Sequence, residues 1–148
     1  MKSEEPKETM SHFVDAIITA RQAIKYYIMQ KIKETHGEIT YEMFQVLMVL
    51  WKKGEINQQE IANTVQKGKA SLTPLIDNLT RVNLVTRTED SADRRNKIIS
   101  LTKEGQLYQK KFEPMLNEFY TTLNSGIPAE KIKEITGLLL KMSDQVSK

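Results

Sequence analysis

Residues 90–105 read DSADRRNKIISLTKEG. Within this stretch a turn, an arginine pair, an alternating strand and a helix start follow one another without a break. Ser91, Ala92 and Asp93 supply turn chemistry, and Arg94 and Arg95 put two guanidinium groups near the tip. Ile99 and Leu101 alternate with polar neighbours, as in a half-buried strand. Thr102 stands three residues before Gly105, in the position of a helix cap. The stretch therefore predicts a basic hairpin that feeds a helix, a shape suited to insertion into a groove.

Immediately upstream, residues 84–88 predict the first strand of that hairpin and residues 97–101 its return. Before them, Leu72, Leu75, Ile76 and Leu79 recur at helical spacing over residues 70–82. Pro74 is compatible with that helix if it falls in the first turn, where its missing N–H removes no helical hydrogen bond. A short helix precedes it: Asn57-Gln58-Gln59-Glu60 has the capping-box spacing, with Ile61, Ala62 and Val65 facing inward, and Gln66-Lys67-Gly68-Lys69 ends it. Two such helices joined by a glycine-containing turn predict a helix-turn-helix whose second helix is the recognition helix, with the hairpin as a wing.

Further out, Thr40 caps a helix carrying Phe44, Leu47, Met48 and Trp51, which ends at Lys52-Lys53-Gly54. From about Met10, Phe13, Ile17, Ala20, Ile24, Ile28 and Ile32 mark one face of a long helix ending near His36-Gly37, and residues 1–9 read as frayed. After the wing, Leu107, Phe112, Leu116, Phe119 and Leu123 define another long helix, with a kink expected near residues 110–114 from Pro114. Ser125-Gly126-Ile127-Pro128 interrupts it, and Pro128 starts a last helix carrying Ile132, Ile135, Leu138, Leu139 and Met142. The fold class expected is mainly α with a small β-wing, a winged helix-turn-helix over residues 40–105 within a single 148-residue domain. The terminal helices, residues 10–36 and 106–148, carry apolar stripes outside the compact middle, and their simplest joint use is dimerisation.

The composition is that of an ordinary globular protein, 39% hydrophobic and 28% charged. No apolar run approaches the roughly 20 residues that span a bilayer, and the first ten residues hold no apolar signal core, so no membrane role and a cytoplasmic location are expected. The absence of cysteine excludes disulfides and thiolate chemistry. His12 and His36 stand alone, no metal-ligand spacing occurs, and no nucleophile–base pair, paired acids or phosphate loop points to an enzyme, so neither cofactor nor catalytic residues are expected. The net charge is only +3, but Lys67, Lys69, Arg81, Arg87, Arg94, Arg95 and Lys97 against Asp77, Glu89, Asp90 and Asp93 place all of that excess in residues 67–97. A local basic excess is the footprint of a phosphate-facing surface.

Over nearly its whole length the chain resembles the MarR family of winged-helix transcriptional regulators. The resemblance rests on Asn57-Gln58-Gln59-Glu60-Ile61-Ala62, on Ser71-Leu72-Thr73 with Leu75-Ile76-Asp77-Asn78-Leu79, on Leu84-Val85-Thr86-Arg87, and most specifically on Asp93-Arg94-Arg95 with Ile99-Ser100-Leu101-Thr102-Lys103-Glu104-Gly105. The chain departs from the pattern at Asn83, where Gly is usual, and at Pro74, where a polar or basic residue is common. Asn tolerates the left-handed conformation that Gly would take. The resemblance implies a triangular homodimer that binds double-stranded DNA at a pseudo-palindromic operator, as a repressor or less often an activator. Recognition helices would enter major grooves about 34–36 Å apart. Many relatives release DNA when a small phenolic or other aromatic effector binds.

Each candidate site residue has a plainer reading beside it. A narrow minor groove concentrates negative potential and attracts arginine. Arg95 is favoured for that role, with Arg94 as a phosphate or structural contact and Asp93 as the residue that shapes the wing; the plain alternative is a solvated tip with Asp93 paired to one arginine. Ser71 and Thr73 are candidates for phosphate or base-edge contacts, Lys67 and Lys69 for phosphate, and Gln58 and Gln59 for the DNA backbone. Ser and Thr are equally ordinary helix-start residues, while Arg81 and Arg87 read as salt-bridge partners. Tyr26, Tyr27, Met48 and Trp51 are candidates for an effector pocket, although such a stripe is more often core. The rival function is a dimeric winged-helix protein-interaction module that binds no operator.

Overall fold

The computed structural model describes residues 5–35 and 38–147. Helix α1 (Pro6–Thr35) begins a turn earlier than the apolar pattern predicts, because Pro6 is preorganised for a first helical position and Glu8 sits in the positive first turn. Its expected end at His36-Gly37 lies outside the described residues. Helix α2 (Tyr41–Lys53) is capped by Thr40, whose Oγ1 accepts the Met43 N–H at 3.1 Å. It ends at Gly54, in the left-handed half of backbone space at φ 74°, with its N–H donating to the Leu50 carbonyl.

A two-residue strand, β1 (Ile56–Asn57), follows and leads into α3 (Gln58–Val65). Asn57 Oδ1 accepts the Glu60 N–H at 2.8 Å, completing half of the capping box; Glu60 turns instead towards Lys53, 3.9 Å away. Helix α4 (Lys69–Arg81) starts after Gly68, which places Pro74 five residues beyond the first helical residue. The expectation that Pro74 lies in the first turn is therefore corrected: the carbonyl of Ala70 is deprived of its helical donor. Asn83 adopts φ 61°, and Leu84 N–H reaches back to the Leu79 carbonyl, the closure usually made with glycine.

Strands β2 (Val85–Glu89) and β3 (Lys97–Leu101) form the wing, one residue later than expected for β2. They pair antiparallel with Val85 opposite Leu101 and Glu89 opposite Lys97. β1 adds to the far side of β3, with Ile56 opposite Ile99, so the sheet order is β1-β3-β2. The sequence reading lacked β1, since two residues are too few to show a period.

α2 is the hub of the first compact unit, packing against α1, α3, α4 and β3. Leu47, Leu50, Ile61, Leu72, Ile76, Leu79, Val85 and Ile99 are fully buried there, each burial stabilising by roughly 1.5–3 kcal/mol. Helix α5 (Lys103–Leu123) is continuous through Pro114. Pro114 has no N–H for the Lys110 carbonyl, and the division between the two compact units, Met1–Lys110 and Lys111–Lys148, falls just after Lys110. In the second unit, α6 (Ala129–Val146) follows Pro128, which occupies the cap position rather than the first helical one. Among the described residues no side chain of α6 is buried, and Ile135 and Leu138 are about half exposed.

Candidate nucleic-acid interface

Helix α4 has two chemically distinct faces. Leu72, Ile76 and Leu79 are fully buried, so the 3.6-residue period turns Ala70, Pro74, Asp77 and Arg81 to the opposite, exposed side. Thr73 lies between the faces: its Oγ1 donates to the Lys69 carbonyl at 3.0 Å and accepts Gln58 Nε2 at 3.1 Å. Gln58 therefore braces α4 from the start of α3. Gln59 donates to Asn63 Oδ1 within its own helix. Ser71 and Lys69 are exposed, and Lys67 is half-buried in the turn.

The wing tip is shaped by its aspartates. Asp90 Oδ1 accepts the Ala92 N–H, and the Asp90 and Asn96 amides donate to the Asn96 and Asp93 carbonyls respectively. Asp93 Oδ1 accepts both the backbone N–H and Nε of Arg95, at 3.0 and 3.2 Å. Asp93 thus pairs with Arg95, the arginine expected to be free for DNA. That side chain is nonetheless 91% exposed, and an ion pair in such surroundings is worth about 0–1 kcal/mol. Arg94 is exposed, and no ion pair to it is found among the described residues.

The wing is tied back to α4 by Arg87 on β2, whose Nη1 meets Asp77 Oδ1 at 2.8 Å. Arg81 donates to Asn78 Oδ1 on its own helix. Nε and Nη2 of Arg87 are buried with no hydrogen-bond partner, so this guanidinium is held by one carboxylate and has unused donor capacity.

Where α3, α4 and the wing meet there is a cleft of about 360 Å³. Gln58, Gln59, Lys69, Thr73 and Arg95, all singled out from sequence, line it; Lys67, Ser71 and Arg94 do not. Arg87, Asn96 and Lys97 also line it. Their signal lay in the strand register: β2 and β3 alternate, so Arg87 and Lys97 were placed by pairing rather than by motif. Among the described residues no carboxylate lines the cleft, although Asp77, Asp93 and Glu89 each hold one of its cations from outside. A concave surface lined by amides, a hydroxyl and cations is suited to phosphate oxygens and base edges.

Beneath the wing, Thr102 joins its exit to the turn after α4. Its Oγ1 donates to the Asn83 carbonyl at 2.6 Å and accepts the Gly105 N–H at 3.0 Å, while its own N–H donates to the Leu84 carbonyl. Trp51 Nε1 donates to the Gly105 carbonyl at 3.0 Å and its ring meets Phe44 edge-on.

Residues 39–97 match the model of the MarR family. An Escherichia coli homoprotocatechuate degradative operon repressor is 27% identical over 124 residues, spanning 84% of this chain and 82% of that protein. The stretch that carries the helix-turn-helix and the wing is thus a region of the MarR family of transcriptional regulators. Among solved structures, Staphylococcus aureus MepR in its DNA-binding conformation superposes with a TM-score of 0.82 at 26% identity, covering 90% of this chain and 98% of MepR. The MepR–DNA complex superposes with a TM-score of 0.76 at the same identity, covering 90% and 97%. The fold is thus shared with these MepR structures along 90% of this chain.

The effector-pocket candidates are not among the residues that line the cleft. Tyr26 is 66% exposed on α1, and Lys31 Nζ stands 5.6 Å from the centroid of the Tyr27 ring. Met48 and Trp51 are half-buried on α2. Among the described residues, no group of three or more His, Cys, Asp or Glu is arranged to hold a metal ion, and no helix is long and apolar enough to cross a membrane.

Proposed function

We propose that this protein is a cytoplasmic repressor that binds a pseudo-palindromic duplex operator as a homodimer and lets go of it when a small aromatic compound binds. The observation that carries the reading is the cleft where α3, α4 and the wing converge, with Lys69, Arg87, Arg95 and Lys97 on its walls and, among the described residues, no carboxylate lining it. In this reading α4 enters the major groove. Ser71, Lys67 and Lys69 meet phosphates, while Thr73, oriented by Gln58, reaches a base edge or phosphate and Gln59 the DNA backbone. Arg95, steadied by Asp93, enters the flanking minor groove, and Arg94 takes a neighbouring phosphate. The protein acts by binding, without catalysis.

The dimer is assigned to the terminal helices, residues 10–36 and 106–148. In support, Met10, Val14, Ile17 and Ile18 of α1 and Ile132, Ile135 and Leu138 of α6 are exposed, and a second copy would remove them from water. Tyr26, Tyr27, Met48 and Trp51 are the residues assigned to the effector. Repression, rather than activation, is favoured because the E. coli relative is an operon repressor.

Duplex affinity measured against salt tests the reading. The log–log slope should shrink by about 0.9 for each phosphate contact removed, so Arg94→Ala should lower both slope and affinity. Arg95→Ala should mainly cost affinity for sites flanked by A·T-rich minor grooves. If the double variant bound every duplex as well as the unaltered protein, the wing assignment would be wrong, and a protein-interaction module would be the better reading. Sedimentation of Leu138→Glu should give a monomer; a wild-type monomer would remove the role given to α1 and α6.

A further inference from the structure

Pro74 stands on the exposed face of the recognition helix, and its position determines the state of one backbone group. α4 begins at Lys69, and the N–H groups of Ser71 and Leu72 both donate to the Gly68 carbonyl. Four residues after Ala70, where an N–H would close the next helical bond, the chain has a proline, which has none. The Ala70 carbonyl is therefore without its i+4 donor. The Thr73 hydroxyl does not replace it, since Thr73 Oγ1 donates to the Lys69 carbonyl.

This carbonyl belongs to the exposed face of α4 and points along the helix towards Pro74. Ala70 and Pro74 are both exposed and lie opposite the buried Leu72, Ile76 and Leu79. Residues 70, 71, 73 and 74 are Ala, Ser, Thr and Pro, so no long side chain stands between the backbone and an approaching surface. The first turns of a recognition helix are also the part that meets base edges. In the major groove only adenine N6 and cytosine N4 donate hydrogen bonds; guanine O6 and N7 and thymine O4 are acceptors, which a carbonyl repels.

We propose that Pro74 makes the Ala70 carbonyl a base-reading acceptor that selects adenine or cytosine, the bases bearing an exocyclic amine, at one position in each operator half-site. The proposal rests on the DNA-binding reading above and names a specificity determinant within it. One neutral hydrogen bond corresponds to about threefold to tenfold in affinity per half-site.

The test is selection of bound duplexes from a randomised pool with the full-length protein and with Pro74→Ala. Alanine restores the N–H and is a better helix former, so the variant should fold at least as stably. The unaltered protein should enrich adenine or cytosine at one symmetry-related position where Pro74→Ala shows no preference, with the other positions unchanged. At that position, a purine lacking the 6-amino group, or a pyrimidinone lacking the 4-amino group, should weaken the unaltered protein about threefold to tenfold and leave Pro74→Ala unaffected. Identical base preferences for the two proteins would overturn the proposal. So would a lost preference for thymine that uracil also abolishes, since that assigns the contact to the proline ring and the thymine methyl. Failure of the unaltered protein to bind any duplex would instead remove the DNA-binding reading itself.

Discussion

Replacing Gly105 by alanine should destabilise the protein, whereas the same replacement at Gly137 should stabilise it. A Cβ at Gly105 would overlap the Leu84 carbonyl oxygen and come within 3.2 Å of the Leu84 carbonyl carbon and 3.1 Å of Leu101 Cδ2. That oxygen belongs to the backbone and is already fixed by the Thr102 N–H at 3.1 Å. Relief requires α5 to move away from the turn, which breaks the Thr102 N–Leu84 O bond and the Thr102 Oγ1–Asn83 O bond. Each bond contributes about 1 kcal/mol, residual crowding costs about 1–3 kcal/mol, and the helix propensity of alanine returns about 1 kcal/mol. The net loss is about 2–4 kcal/mol, which lowers the melting temperature by about 5–15 °C in a domain of this size. At Gly137 an added Cβ meets nothing within 4 Å, and the helical period sets this residue opposite Ile132, Ile135 and Leu138. Only the propensity gain of about 1 kcal/mol remains there. Urea and thermal unfolding followed by circular dichroism, at one fixed protein concentration because dimerisation shifts apparent stability, give both values. Equal stability of Gly105→Ala and the unaltered protein, or shifts of the same sign at both glycines, would refute the close seating of the wing exit on the turn after α4.

Three further outcomes are expected. Trp51→Phe removes the donor to the Gly105 carbonyl, a bond spanning 54 residues of chain, and should lower urea stability by about 1–2 kcal/mol while leaving the ring contact with Phe44 largely in place. Asn57→Ala removes the acceptor for the Glu60 N–H and should cost about 1 kcal/mol, whereas Asn57→Ser should recover most of it. Burial, and secondarily the charge of Glu38, raise the Tyr108 phenol above its ordinary value of 10.0. Its neutral form is thus favoured by folding, so its contribution is intact below pH 10, the unfolded value, and is lost as pH rises through the folded value. Tyr108→Phe should flatten that alkaline loss of stability, and absorbance titration of tyrosinate should lose a component that titrates above pH 10.0.

Much of the first unit was legible because its signals are local. The caps at Thr40, Asn57 and Thr102 act over three residues, the apolar period of α2 and α4 repeats within a turn, and the alternation of β3 needs only its own five residues. Asn83 was readable for the same reason, since a left-handed residue at the end of a helix is chosen by its own backbone sterics. Pro74 shows the limit of such signals. A proline is compatible with a first turn or with a forfeited hydrogen bond, and a shift of a few residues in the helix start, here set by Gly68, decides between them.

Tertiary structure decided whatever depends on groups distant in the chain. The pairing of Ile56 with Ile99 creates β1, the bond from Arg87 to Asp77 ties the wing to α4, and the carbonyl of Leu84 leaves no room for a side chain at Gly105. Sequence alone determined that this chain forms a winged helix-turn-helix with an arginine-tipped hairpin, because caps, periodicity and turn residues are energetic choices made within a few residues. Which arginine Asp93 holds, and which amides and cations share one cleft, were decided only when the chain packed, because those choices depend on distances in space that residue order does not encode.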